Sequence, residues 1–172
     1  MKRLGLSLLL VCVMQLAQAI PEAALEHAGN WRALGQGTMR WYGLALYTAE
    51  LWSSQPAFDP ASNFALKLTY ARSFSGGRIA SASVDEMRRI GIRDETLLAR
   101  WKGYMDKLFP DVREGDTLTG VHLPGKGVVF YRGDALLGEV NDPAFASAFF
   151  GIWLDPRTRE PALRKQLLGQ VK

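Results

Sequence analysis

Arg72 is the side chain in this 172-residue sequence with the clearest chemical opportunity. It ends the alternating stretch Phe64 to Arg72 and stands just before Ser75-Gly76-Gly77, a turn that opens a helix. A guanidinium held there, among aromatic and aliphatic neighbours, could meet a ligand carboxylate with two parallel charge-assisted hydrogen bonds. Tyr70 precedes it by two positions, on the same face of an extended strand, and a bend at the strand end would bring both to one site. Arg40, two residues past Thr38, is a second cation. The competing reading of Arg72 is a strand-end arginine that pairs with a surface acid and contributes little.

The residue types that other chemistries need are missing or scattered. His27 and His122 are the only histidines, and Cys12 is the only cysteine. No Asp, Glu and His stand at ligand spacing, so the sequence supports neither a metal site nor a metal cofactor, and no other cofactor is expected. His122 lies in a strand beside a turn and reads as a solvated or hydrogen-bonded histidine. No nucleophile-elbow sequence occurs. Gly125-Lys126-Gly127 is flanked by strands on both sides and reads as a hairpin turn, not a phosphate loop. Asp111, Glu114 and Asp116 form a solvated turn after Pro110, and Asp85 and Glu86 can pair with Arg88 and Arg89 on a helix surface.

The elements that would position Arg72 follow from periodicity and punctuation. Residues 22 to 34 read as a short lead-in, helical or irregular. Thr38 to Tyr42 and Leu44 to Trp52 read as two strands, or one bent strand, around Gly43. Asp59-Pro60-Ala61-Ser62-Asn63 is turn chemistry. From Phe64 to Arg72, Phe64, Leu66, Leu68 and Tyr70 alternate with Ala65, Lys67, Thr69 and Ala71, the period of a half-buried strand. A helix then runs to Ile90 and stops at Gly91. A second, capped by Asp94, carries Leu97, Leu98, Trp101, Met105 and Leu108 at helical spacing until Pro110. Thr117 to Leu123, Val128 to Arg132 and Leu136 to Val140 form a meander of hairpins. A third helix opens at Asn141 or Asp142 with Pro143 in its first turn and ends before Pro156, and Pro161 to Gly169 is a last amphipathic segment. Strands, then helices, then hairpins and helices again make an α+β fold. It has an antiparallel sheet and helices over one face.

The N-terminus has the three parts of a secretory signal: Lys2-Arg3, the apolar run Leu4 to Leu16, and Ala17-Gln18-Ala19 before a cleavage site after Ala19. The run is about thirteen residues, short of the roughly twenty needed to span a bilayer. Residues 1–19 are therefore expected to be a signal peptide and 20–172 a single domain in the periplasm, with no integral membrane segment in the mature form. Val11 before Cys12 argues against lipidation, and cleavage would leave a chain without a thiol. The formal charge of +4 becomes +2 once Lys2 and Arg3 are gone. The remaining charges are interspersed, so no nucleic-acid partner is expected.

Several segments, in order, resemble the bacterial exported branch of the chalcone isomerase-like proteins. They are Gly35-Gln36-Gly37-Thr38-Met39-Arg40-Trp41-Tyr42-Gly43 running into Leu46 to Trp52, Leu66 to Arg72, Leu108-Phe109-Pro110-Asp111-Val112, Gly115 to Gly120, and Asp142-Pro143-Ala144-Phe145 through Phe149-Phe150-Gly151-Ile152-Trp153 to Thr158. The resemblance implies an open-faced sandwich: a large antiparallel sheet, a layer of helices on one face and a ligand cleft between them. In the plant isomerases an arginine and a threonine near the first long strands act with a tyrosine, lysine and asparagine after the central strand. Arg40 and Thr48 fall near the first pair, but Gly76 to Ser83 contains none of the second group. The fatty-acid-binding relatives grip a carboxylate with an arginine at the end of the central strand and a nearby tyrosine, which implies Arg72 and Tyr70. The expected function is accordingly non-catalytic binding of a small amphiphile such as a fatty acid. The alternatives are an isomerase or lyase acting on a chalcone-like or other unsaturated molecule, and an envelope accessory protein that binds another protein.

Overall fold

A computed structural model describes residues 20–27 and 30–170; the expected signal peptide, residues 1–19, lies outside them. Six strands form one sheet in chain order, each antiparallel to the next: β1 Arg32–Trp41, β2 Leu44–Ser53, β3 Phe64–Tyr70, β4 Thr117–Leu123, β5 Gly127–Arg132 and β6 Ala135–Val140. Between β3 and β4 come helices α1 Gly76–Arg89 and α2 Glu95–Leu108, and after β6 come α3 Pro143–Leu154 and α4 Pro161–Leu167.

The helix starts are where capping chemistry places them. The Asp94 carboxylate accepts a hydrogen bond from Leu97 N (3.0 Å) and opens α2, and Asp142 does the same for Phe145 N (3.0 Å) at α3. Ser75 caps α1 through Arg78 N. α3 is apolar nearly all round, and Phe145, Ala146, Ala148, Phe149, Phe150, Ile152, Trp153 and Leu154 are all buried. That composition fits its place, packed on β5 and flanked by α1 and α4.

The alternation read in β3 holds. Phe64, Leu66, Leu68 and Tyr70 join the main core beneath the helices, while Ala65 joins a smaller cluster on the opposite face. That second cluster contains Val121, Val129 and Tyr131. A 3-10 turn, Glu22–His27, packs on it through Ala24, with Ile20 just before the turn, and His27 Nε2 lies 2.8 Å from the Tyr131 hydroxyl. Lys67, also on that face, is buried with Glu50 3.7 Å away.

Two boundaries differ from expectation. β1 begins at Arg32, not Thr38, so the lead-in is only the 3-10 turn. Gly35 and Gly37 disguise the strand, because glycine in a strand normally marks weakness. Here they admit α4: a Cβ on Gly35 would sit 2.0 Å from the Gln166 carbonyl oxygen, and one on Gly37 would sit 2.1 Å from Gln166 Oε1. The second difference is at β3, which ends at Tyr70 instead of Arg72. Tyr70 N donates to Asp116 O (2.9 Å) and Gly115 N to Tyr70 O (2.8 Å), and after a last bond from Ala71 N to Leu46 O (2.9 Å) the chain bends away from the ladder.

Candidate functional site

Between the sheet and the helices lies an apolar cavity of about 220 Å³. Its floor is Leu66, Leu68 and Tyr70 of β3 with Tyr47, Leu118 and Phe130 from neighbouring strands. Its roof is Ile79, Ala82, Ser83 and Glu86 of α1 and Phe149, Ile152 and Trp153 of α3. Gly120 contributes to the floor as an absence of side chain; a Cβ there would press on Phe130 and Phe150 at 3.2 Å. The volume is below the roughly 300–1,000 Å³ of drug-sized pockets, which favours a slender ligand over a bulky one.

Few polar groups face this space. The Tyr47 hydroxyl accepts a hydrogen bond from Trp153 Nε1 (3.0 Å), which leaves its own proton to donate. Tyr70 is buried beside it, the two rings meeting edge to face with centroids 6.1 Å apart. Ser83 is occupied by the Ile79 carbonyl (2.9 Å). Glu86 is held by Arg159 (2.7 Å) and Arg89 (3.4 Å). Arg78, on the first turn of α1, lines the same cavity from its solvent side, and no carboxylate among the described residues pairs with it.

Burial decides the state of the two phenols. It pushes Tyr47 up to about 12, against the pull of the Trp153 hydrogen bond and with smaller help from the charges of Glu86 and Glu160. Tyr70 is raised further, again by burial first and then by Tyr47. Both are therefore neutral donors at ordinary pH. A raised folded-state value also links stability to pH. Below about pH 10 the phenols are protonated folded and unfolded, and their contribution is complete. As pH rises towards 12 the unfolded chain releases protons that the folded chain retains, so stability falls across that window. Urea midpoints measured from pH 9 to 12 are expected to decline, and the Tyr47→Phe/Tyr70→Phe double variant to decline less steeply.

Of the two residues expected to grip a ligand, Tyr70 lines the cavity and Arg72 does not. Arg72 is exposed in the bend beyond β3 and is not part of the cavity wall. Arg40 and Thr48 are brought together elsewhere, in a more polar groove along β1 with Thr38 and Gln166. There Arg40 donates to Gly43 O (3.2 Å), and the Thr48 and Thr38 hydroxyls lie 3.3 Å apart. Neither reaches the apolar cavity. Sequence reasoning passed over Arg78, Tyr47, Phe149 and Trp153, all of which line the cavity. Other polar residues weighed in the sequence make contacts within the fold. His122 stacks on Phe64 (4.5 Å) with Nδ1 3.2 Å from Ser62 O. Asp111 accepts from Gly76 N (2.9 Å), and Asp116 binds Arg132 (2.9 Å). Among the described residues no group of three His, Cys, Asp or Glu stands together as a metal site, and no helix is long and apolar enough to cross a membrane.

An antiparallel sheet carrying one layer of helices, with an apolar cavity between them, defines an open-faced α+β sandwich. Residues 31–169 match the sequence profile described as chalcone isomerase-like, and the chain belongs to that family. An uncharacterized protein of Haemophilus influenzae is 28% identical over 144 residues, covering 83% of this chain and 70% of the relative. Among solved structures, a fatty-acid binding protein of Arabidopsis thaliana matches with a TM-score of 0.61 over 89% of this chain and 90% of its own. At 12% identity that likeness is one of fold.

Proposed function

We propose that the cavity binds a small carboxylate amphiphile, a fatty acid, without transforming it, and that the protein does so in the periplasm after removal of residues 1–19. One observation carries the reading. An apolar cavity has, as its uncommitted polar groups, two neutral phenols and a guanidinium with no acidic partner. That set matches a carboxylate head with an acyl tail, because charged acceptors are held best by an arginine and O–H donors in apolar surroundings. Tyr70 keeps the role expected of it, Tyr47 joins it, and the cation passes from Arg72 to Arg78. A cyclisation chemistry based on Arg40 and Thr48 lacks this support, since both lie outside the apolar space.

Calorimetric titration of delipidated protein with dodecanoate and with dodecanol tests the head-group assignment. Wild type is expected to prefer the acid, and Arg78→Gln to remove most of that preference. The loss should be about tenfold or more, the scale of a hydrogen bond to a charged group. Equal affinity of wild type for acid and alcohol would refute the assignment.

A further inference from the structure

The β1–β2 hairpin ends in a cluster that the cavity does not use. Trp41 is 46% exposed, Tyr42 90% and Leu44 53%, three of the five large apolar side chains most open to solvent among the described residues. The turn itself is tight, with Tyr42 and Gly43 at φ 46° and 80°. That conformation costs a non-glycine residue energy, and tyrosine gives no local hydrogen bond in return. The rings of Trp41 and Tyr42 meet edge to face at 5.2 Å. Packing inside the protein explains none of this exposure.

Position links the cluster to the cavity. The Arg159 guanidinium lies 5.7 Å from the Trp41 ring centroid and also binds Glu86, a cavity-wall residue, at 2.7 Å. Across the turn, two and three residues past Leu44 on β2, Leu46 and Tyr47 form part of the cavity wall. The aromatic tip is therefore at the cavity rim.

We propose that this hairpin tip seats the protein on a lipid bilayer, with Trp41, Tyr42 and Leu44 in the headgroup boundary and the cavity rim facing the membrane. The chemistry fits: Trp and Tyr have apolar bodies with polar handles suited to that depth, and leucine adds buried area. The residues from Thr38 to Thr48 include Arg40 and no acidic side chain, so an anionic headgroup meets no repulsion from them. Size argues against a protein partner. Three side chains at a two-residue turn offer far less than the roughly 800 Å² per partner of a stable protein interface. A bilayer needs only the tip. The inference rests on the fatty-acid reading for the cargo that docking would serve, and on the hairpin alone for the docking.

The test is co-sedimentation with vesicles of phosphatidylglycerol and phosphatidylethanolamine, run beside dodecanoate titration in vesicle-free buffer. The comparison variant is Trp41→Ser/Tyr42→Asn/Leu44→Ser, in which asparagine tolerates the left-handed turn; its thermal midpoint is measured to establish that it folds. Wild type is expected to sediment with the vesicles and the folded variant to bind at least about tenfold more weakly, since withdrawing one large apolar side chain from water is worth about that factor. Dodecanoate titration should be unchanged. Wild type that stays in the supernatant, or a variant that sediments as well as wild type, overturns the docking proposal. Self-association of wild type that the variant abolishes, without vesicle binding, overturns it in favour of a second copy. Should the variant alone misfold, Leu44→Ser is read in the same way with about a tenfold loss expected. A failed dodecanoate titration with intact vesicle binding rejects the cargo and leaves the docking standing.

Discussion

Trp101→Ala is expected to lower the unfolding free energy by about 3–5 kcal/mol, the usual cost of emptying a buried tryptophan site. Trp101 is 1% exposed, on the inner face of α2, with Phe145 of α3 at a ring separation of 6.0 Å. Its Nε1 donates to Asp142 Oδ2 (3.0 Å), and the other oxygen of that carboxylate caps α3 through Phe145 N. Arg100 approaches Oδ2 as well, at 3.3 Å. Removal of the indole therefore leaves a cavity and takes a donor from the group that starts α3. For a chain of this size each kcal/mol shifts the thermal midpoint by about 2–4 °C, so a fall on the order of ten degrees should appear by calorimetry. Trp101→Phe keeps one ring in place and loses the donor with the second ring; its cost should be smaller than that of Trp101→Ala, which gives up the whole side chain. Equal losses for the two variants would mean that packing contributes nothing at this site.

The second large effect concerns ligand, not stability. Ala82 lines the cavity from α1 yet is itself exposed, so a bulky side chain there has room to cover the opening without disturbing the core. Ala82→Trp should cost the fold less than about 0.7 kcal/mol in helix propensity. It should cost dodecanoate far more. Each methylene kept in water forfeits about 0.8 kcal/mol, so exclusion of only three would weaken binding roughly fiftyfold. Calorimetric titration of the two proteins, with their thermal midpoints as control, reads this directly. Unaltered affinity in the folded variant would place the ligand somewhere other than between α1 and the sheet.

Much of the scaffold was legible because local rules and global packing agree. The alternation in Phe64 to Tyr70, the Asp94 and Asp142 caps, and the glycine turns between β4, β5 and β6 each signal an element that forms. β1 was legible only from Thr38, since its glycines answer to α4 packing more than a hundred residues later, and no local pattern reports that. The site was less legible for the same reason. Tyr47 reads as a core aromatic until Trp153, 106 residues away, is seen to bond its hydroxyl and leave the proton free. Arg78 reads as an ordinary helix-start residue; its relation to Tyr70 depends on how α1 lies across the sheet. Arg72 has the better strand-end position in sequence, but the chain leaves the ladder at Tyr70 and carries its side chain into solvent. Nothing in its local sequence marks Trp41 as exposed, whereas the tight turn at Tyr42 and Gly43 leaves it 46% open to solvent.

The central claim is that an acyl chain lies between the sheet and the helices. A crystal structure of the protein with dodecanoate brominated at its terminal carbon tests it most directly, through the anomalous signal of the bromine. The expected peak lies inside the cavity bounded by Gly120, Phe130 and Phe149, with the carboxylate towards Tyr70 and Arg78. A bromine peak on the outer surface, with the cavity empty in the same crystal, would contradict the account.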